Sequence, residues 1–221
     1  MPKLRVHALA MSLDGYVAGP DQDLAHPLGA GGERLHDWVF ETRTGRAMIG
    51  ESGGSEGVDD DAVARGFAGI GATVMGRNMF GPVRGEWGSG EWGDDWTGWW
   101  GDEPPYHHPV FVLTHHERAP IEMAGGTTFH FVTDGIESAL RSAFAAADGA
   151  DVRLGGGAAT VRAYLRAELV DELEIAVAPV LLGAGEPLFV TGDGVDQRYE
   201  CAALVAGESV VHARLTRVAT A

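Results

Sequence analysis

The sequence predicts an α/β fold, with a mostly parallel central sheet, antiparallel strands towards its C-terminal end and helices on both faces. Three observations carry this. Short runs rich in Val, Leu, Ile and Phe alternate with segments of helical spacing, the order expected of strand–helix–strand units. Several runs are almost continuously apolar, as strands covered on both faces are. The last two runs, 172–182 and 209–218, have no helix between them and so should pair antiparallel.

In chain order, LRVHALAM (4–11) reads as the first strand. His7 interrupts its apolar run and Asp14 follows, which argues against a signal peptide. GGERLHDWVF contains a first helix at 33–40. DDDAVARGFAGI (59–70) opens with three acids, which suits the positive end of a helix dipole. Strands follow at 72–76, 109–114 and 129–133. GIESALRSAFAAAD (135–148) places Ile136, Leu140, Ala143, Phe144 and Ala147 at helical spacing. DVRLGG (151–156) is the next strand. ATVRAYLRAEL (159–169) then gathers Val161, Tyr164, Leu165 and Leu169 on one side.

The expected organisation is one domain over residues 1–221, with an inserted loop at about 84–108. The loop holds Trp87, Trp92, Trp96, Trp99 and Trp100 among Gly and Asp, which fits no regular element. It is either a lid or pocket wall, or a flap whose aromatics pack on the body or on a partner.

Charge narrows the partners. Sixteen basic against 32 acidic residues give a net charge of -16, which repels a nucleic acid; a small phosphate could still sit on a local basic patch. The single Cys201 excludes an intrachain disulfide and a multi-cysteine zinc site, and reads as a small filler residue. No apolar run approaches the roughly 18–20 residues that span a bilayer. Without a targeting segment, the expected location is the cytoplasm.

The chemistry concentrates at predicted strand ends. Gly155–Gly157 follow a strand and precede a helix that starts near Ala158. The G-x-G spacing partly mimics a dinucleotide fingerprint, but Thr160 stands at its third glycine and the motif lies late in the chain. No Gly-Lys-Ser/Thr follows, so it is no P-loop. The physical content is a bare backbone and a helix N-terminus aimed at one spot, which suits a phosphate; a tight turn with no ligand is the alternative. Gly76-Arg77 closes another strand, and the planar Arg77 fork suits a phosphate too. Thr114 ends the next strand with a hydroxyl, and Asp14-Gly15 marks a turn after the first. Open α/β sheets bind ligands at this edge.

MSLDGYVAG, GATVMGRNMF, PVFVLTH, TFHFVTDGIESAL and LGGGAATVRAYLRAELVDELEIAVAPVLLGAGEPLF, in this order, resemble the dihydrofolate reductase-like superfamily. Within it the chain is similar to stand-alone relatives of the C-terminal reductase domain of the bifunctional riboflavin-biosynthesis deaminase/reductase. The resemblance implies the three-layer fold of that superfamily, NADPH as cofactor, hydride transfer to a small heterocycle, and a homodimer. It places the cofactor at Gly155, Gly156, Gly157, Ala158 and Thr160, at Gly76 and Arg77, and at Thr114. It places Asp14 and, by proximity, Ala18 beside the active site. An acid on the first helix would be Glu33 or Asp37, and a proton would come from water or from Asp14 or Asp37. The Trp-rich insertion is longer than the family leads one to expect. The deaminase motifs are absent, and one cysteine could not supply them.

Two other readings stay open: a nucleotide-binding protein without catalysis, and a metal enzyme using His107-His108 and His115-His116. Adjacent histidines on a strand point to opposite faces, so neither pair chelates alone. No metal ligand is therefore assigned.

Overall fold

The computed structural model describes residues 1–81, 85–88, 96–192, 195 and 198–218. Trp92 and the rest of 82–84 and 89–95 lie outside them.

Strands β1 (Leu4–Ser12), β3 (Ile70–Gly76), β4 (Pro109–Leu113), β6 (Thr128–Val132), β7 (Asp151–Leu154) and β8 (Glu172–Ala178) run parallel in one sheet. Strands β5 (Ile121–Glu122), β10 (Tyr199–Ala206) and β11 (Val211–Arg217) join it antiparallel, in the order β10-β11-β8-β1-β7-β3-β4-β6-β5. A separate ribbon pairs β2 (Tyr16–Ala18) with β9 (Glu186–Pro187).

Both faces are covered. Helices α5 (Ile136–Ala146) and α6 (Ala158–Arg166) bury Leu140, Ala143, Val161 and Leu165 against Leu4, Val74, Val152, Leu154 and Leu173. The opposite face carries α1 (Asp37–Glu41), α2 (Arg43–Met48) and α3 (Val58–Phe67), where Trp38 and Val63 share a buried cluster with Ala10, Ala176 and Ala178. Beyond them, α4 (Arg77–Phe80) and the Trp-rich segment cover the β3–β4–β6 side, with Trp87, Trp96 and Tyr106 packed around Met75, Phe80, Val110 and Phe129.

The predicted antiparallel pairing of the last two apolar runs holds, since β11 pairs β8. Some boundaries move for physical reasons. β8 stops at Ala178 because Pro179 has no N–H to give the ladder; Val180 then donates back to the Ala178 carbonyl. The expected helix at 33–40 is a 3-10 turn (Gly32–Leu35) followed by α1, with the break at His36. The short strands β2, β5 and β9 carry no sequence prediction, and neither do α2 and β10. The six-residue α2 is started by Thr42, whose hydroxyl accepts from the Gly45 amide at 3.0 Å. β10 is an edge strand with mostly exposed residues, including Cys201, so no alternation marks it.

The face under α3 also buries charge. His7 Nε2 lies 2.8 Å from Glu172 Oε1, Arg65 bridges to Glu174 at 3.1 Å, and His212 Nε2 meets Asp59 Oδ1 at 2.8 Å. The network ties α3 to β1, β8 and β11.

Candidate functional site

The sheet order sets β1, β7, β3 and β4 side by side, so their C-terminal ends form one edge. The turn after β7 lies against β3: the Gly155 amide donates to Val74 O at 2.8 Å, and the Gly76 amide donates to Gly156 O at 3.0 Å. Three glycines serve this packing. Gly156 has φ +117°, which a side chain tolerates badly. A Cβ on Gly76 would overlap the Thr160 hydroxyl, and one on Gly155 would touch Thr73 Cγ2 at 3.4 Å. Gly157 differs: a Cβ there would meet nothing within 4 Å, so its side of the turn faces open space.

α6 begins at this point without a side-chain cap. Its first helical bond runs from the Val161 amide to Gly157 O, which leaves the amides of Ala158, Ala159 and Thr160 without intrahelical acceptors. Such amides and the helix dipole make a site for an anion.

Arg77 starts α4 directly after Gly76. Its guanidinium donates to Gly85 O and reaches Thr114 Oγ1 at 3.4 Å. Its Cζ lies 3.7 Å from the centroid of the Trp87 ring. Thr114, buried at the end of β4, accepts from the His116 amide at 3.2 Å. Arg118 of the same loop stands 4.7 Å from the Trp87 centroid. Two arginines and an uncapped helix start thus share one edge of the sheet. Sequence reasoning missed Arg118, whose available signal was a basic residue four positions after Thr114. Trp87 was expected only as part of a lid, pocket wall or packed flap, because its partner is set by the fold.

The remaining predicted residues are more scattered. Asp14, exposed beyond β1, accepts from the amides of Leu182 at 3.2 Å and Gly183 at 2.6 Å. The Ser12 hydroxyl, then the Gly183 amide, hold its carboxyl below the usual carboxylate range. Asp14 thus anchors the loop after β8. Ala18 is buried in β2, and its carbonyl crowds Gly185. Asp37 is exposed at the start of α1, where its charge suits the helix dipole, and Glu33 is exposed in the preceding turn. No hydrogen bond joins Asp37 or Glu33 to Asp14 or to the glycine turn among the described residues.

The histidine pairs do not converge. His107 Nδ1 lies 2.9 Å from Gly125 O, and His108 Nε2 lies 2.8 Å from Thr73 Oγ1. Burial first, then Arg153, pushes His108 down to about 4. Among the described residues, His7, Glu172 and Glu174 stand close enough to ligate an ion. Arg5 donates to His7 Nε2 at 3.2 Å and Arg65 holds Glu174, so cations already neutralise that group.

Against known proteins, the chain matches the RibD C-terminal domain over residues 2–213, and it belongs to that family. No curated protein matches it in sequence. Solved structures share the fold. A protein assigned to riboflavin biosynthesis from Shewanella sp. PV-4 superimposes with a TM-score of 0.58 at 21% identity, covering 99% of this chain and 100% of its own. A pyrimidine reductase-like protein from Corynebacterium diphtheriae gives 0.53 at 13%, covering 99% and 93%. The Thermotoga maritima diaminohydroxyphosphoribosylaminopyrimidine deaminase/5-amino-6-(5-phosphoribosylamino)uracil reductase gives 0.54 at 16%; 98% of this chain covers 57% of that longer one. The architecture is therefore the dihydrofolate reductase-like one expected from the sequence.

Proposed function

We propose that the protein is an NADPH-dependent reductase acting on a small nitrogen heterocycle, of the kind reduced in riboflavin biosynthesis. The observation that carries this is the joint edge: an open glycine turn, an uncapped helix start, and Arg77 beside Thr114 on the adjoining strands. Membership of the RibD C-terminal domain family supports the same reading. In this reading Gly155–Gly157, Ala158 and Thr160 hold the cofactor pyrophosphate. Gly76 lets the turn approach, Arg77 and Thr114 hold the adenosine side, and Asp14 and Ala18 border the substrate. NADPH when bound supplies the hydride. Asp14, held as a carboxylate, orders the loop after β8, and the proton reaches the substrate from water, with Asp37 the second candidate.

The supporting experiment follows NADPH absorbance with pyrimidine and pteridine substrates. Substrate-dependent loss of absorbance is the expected result. Tight NADPH binding without turnover across the screen would instead favour a nucleotide-binding protein of the same fold.

We infer one domain, a homodimer and a cytoplasmic location. No described helix is long and apolar enough to cross a membrane. Exposed Leu204 and Val205 on β10, with Leu181 and Phe189 nearby in sequence to β9, offer apolar surface for a second copy. Light scattering that returns a monomer mass at working concentration would remove the dimer.

A further inference from the structure

Trp87 belongs to the inserted segment and to none of the motifs that mark the cofactor edge, yet it touches the edge at several points. Its ring lies against Arg77, 3.7 Å from Cζ to centroid, and Arg118 faces the same ring at 4.7 Å. Its Nε1–H donates to His116 O at 2.8 Å. His116 in turn donates its amide to Thr114 Oγ1 at 3.2 Å, and Arg77 reaches that hydroxyl at 3.4 Å. The indole is itself fixed edge-on by Phe131, with centroids 5.0 Å apart, and by Phe80 at 6.0 Å. Trp87 therefore links Arg77 and the loop after β4 to the aromatic cluster, which Arg118 also meets directly over Phe131 at 5.3 Å.

We propose that Trp87 is a positioning residue that sets the selectivity of this edge for a dinucleotide bearing an extra phosphate on its adenosine ribose. This rests on the reading that NADPH binds here. Guanidinium groups lose rotamer freedom when they meet a ligand. Stacking on an indole face orders both groups before the ligand arrives. A dianionic phosphate gains from both cations by charge-assisted hydrogen bonds, whereas a ribose hydroxyl in its place gains little from the second. Selectivity should therefore depend on the ring even though the ring touches no reacting atom.

The test is fluorescence titration of the full chain, its Trp87→Ala variant and its Trp87→Phe variant with NADPH and with NADH, alongside thermal melts. Trp87→Ala should weaken NADPH by about tenfold or more and change NADH by less than about threefold. Trp87→Phe keeps a ring beneath the cations but loses the His116 bond, so its NADPH/NADH ratio should fall between the two. Should Trp87→Ala fail to fold, the Phe variant carries the test through the same ratio. An unchanged NADPH/NADH ratio in a folded variant overturns the role of Trp87 while leaving the cofactor site standing. Failure of the unmodified chain to bind either nucleotide overturns the cofactor reading and this role with it.

Discussion

Two segments border the same edge of the sheet and hold it by opposite means. The turn after β7 works by lacking side chains: Gly155 and Gly156 let the backbone lie on β3, and Gly157 leaves its own side open. The segment before β4 works by adding them. Trp87, Trp96 and Tyr106 build an aromatic layer where no long helix covers the sheet. In the proposed reading, the glycine turn offers a phosphate bare amides and the stacked indole holds cations for another.

The comparison can be broken most sharply at Gly156. Gly156→Asp puts a side chain at φ +117° and a negative charge beside the start of α6. The strain should cost about 1–3 kcal/mol, and NADPH affinity should fall by about two orders of magnitude. A fluorescence titration alongside a melt separates the two effects. Binding that survives the substitution would remove the cofactor from this turn.

On the aromatic side, Trp96 donates to Phe80 O at 2.9 Å and meets Trp99 edge-on at 4.8 Å. Because it is only half-buried, Trp96→Ala should cost about 2–3 kcal/mol, below the range for a fully buried tryptophan. Urea unfolding measures this directly. A loss under about 0.5 kcal/mol would place the segment among ordinary surface loops.

A smaller effect is expected at Gly76. Gly76→Ala should cost about 1–2 kcal/mol by pressing on Thr160, and Thr160→Ala should recover about 1 kcal/mol of it in a double-mutant cycle. Additive losses would mean that the turn does not rest on β3 through this contact.

The effect that is smallest at neutral pH is the pH dependence of His108, where the inserted segment enters β4. Its folded value, about 4, lies below the ordinary 6.5, so the unfolded chain takes up the proton first as pH falls. Its contribution is therefore whole above pH 6.5 and is lost as pH falls towards 4. His108→Gln can keep the Thr73 bond and should flatten this part of the profile in melts taken across that window. Burial also lowers His7 and His36, so part of the acid slope should remain.

Much of the site was legible because its signals are local. A glycine run between an apolar strand and an amphipathic segment marks a turn wherever it occurs, and Gly76-Arg77 and Thr114 announce themselves at strand ends. Other parts had no local signature. β10 exposes most of its side chains and shows no alternation. α2 is too short for periodicity to accumulate. Asp14 accepts from the backbone amides of Leu182 and Gly183, a pairing that no spacing could reveal.

The sequence by itself determined the alternation of strands and helices, the antiparallel end of the sheet and the glycines that follow β7 and close β3. These follow from hydrophobic period, glycine and proline, whose effects act within a few residues. Tertiary structure alone decided the order β1-β7-β3-β4, which brings those strand ends together. It also decided the stacking of Trp87 on Arg77 and the burial of His7, Glu174 and His212 beneath α3. Such pairings depend on how distant strands share a sheet, and long-range packing leaves no periodic trace in the chain.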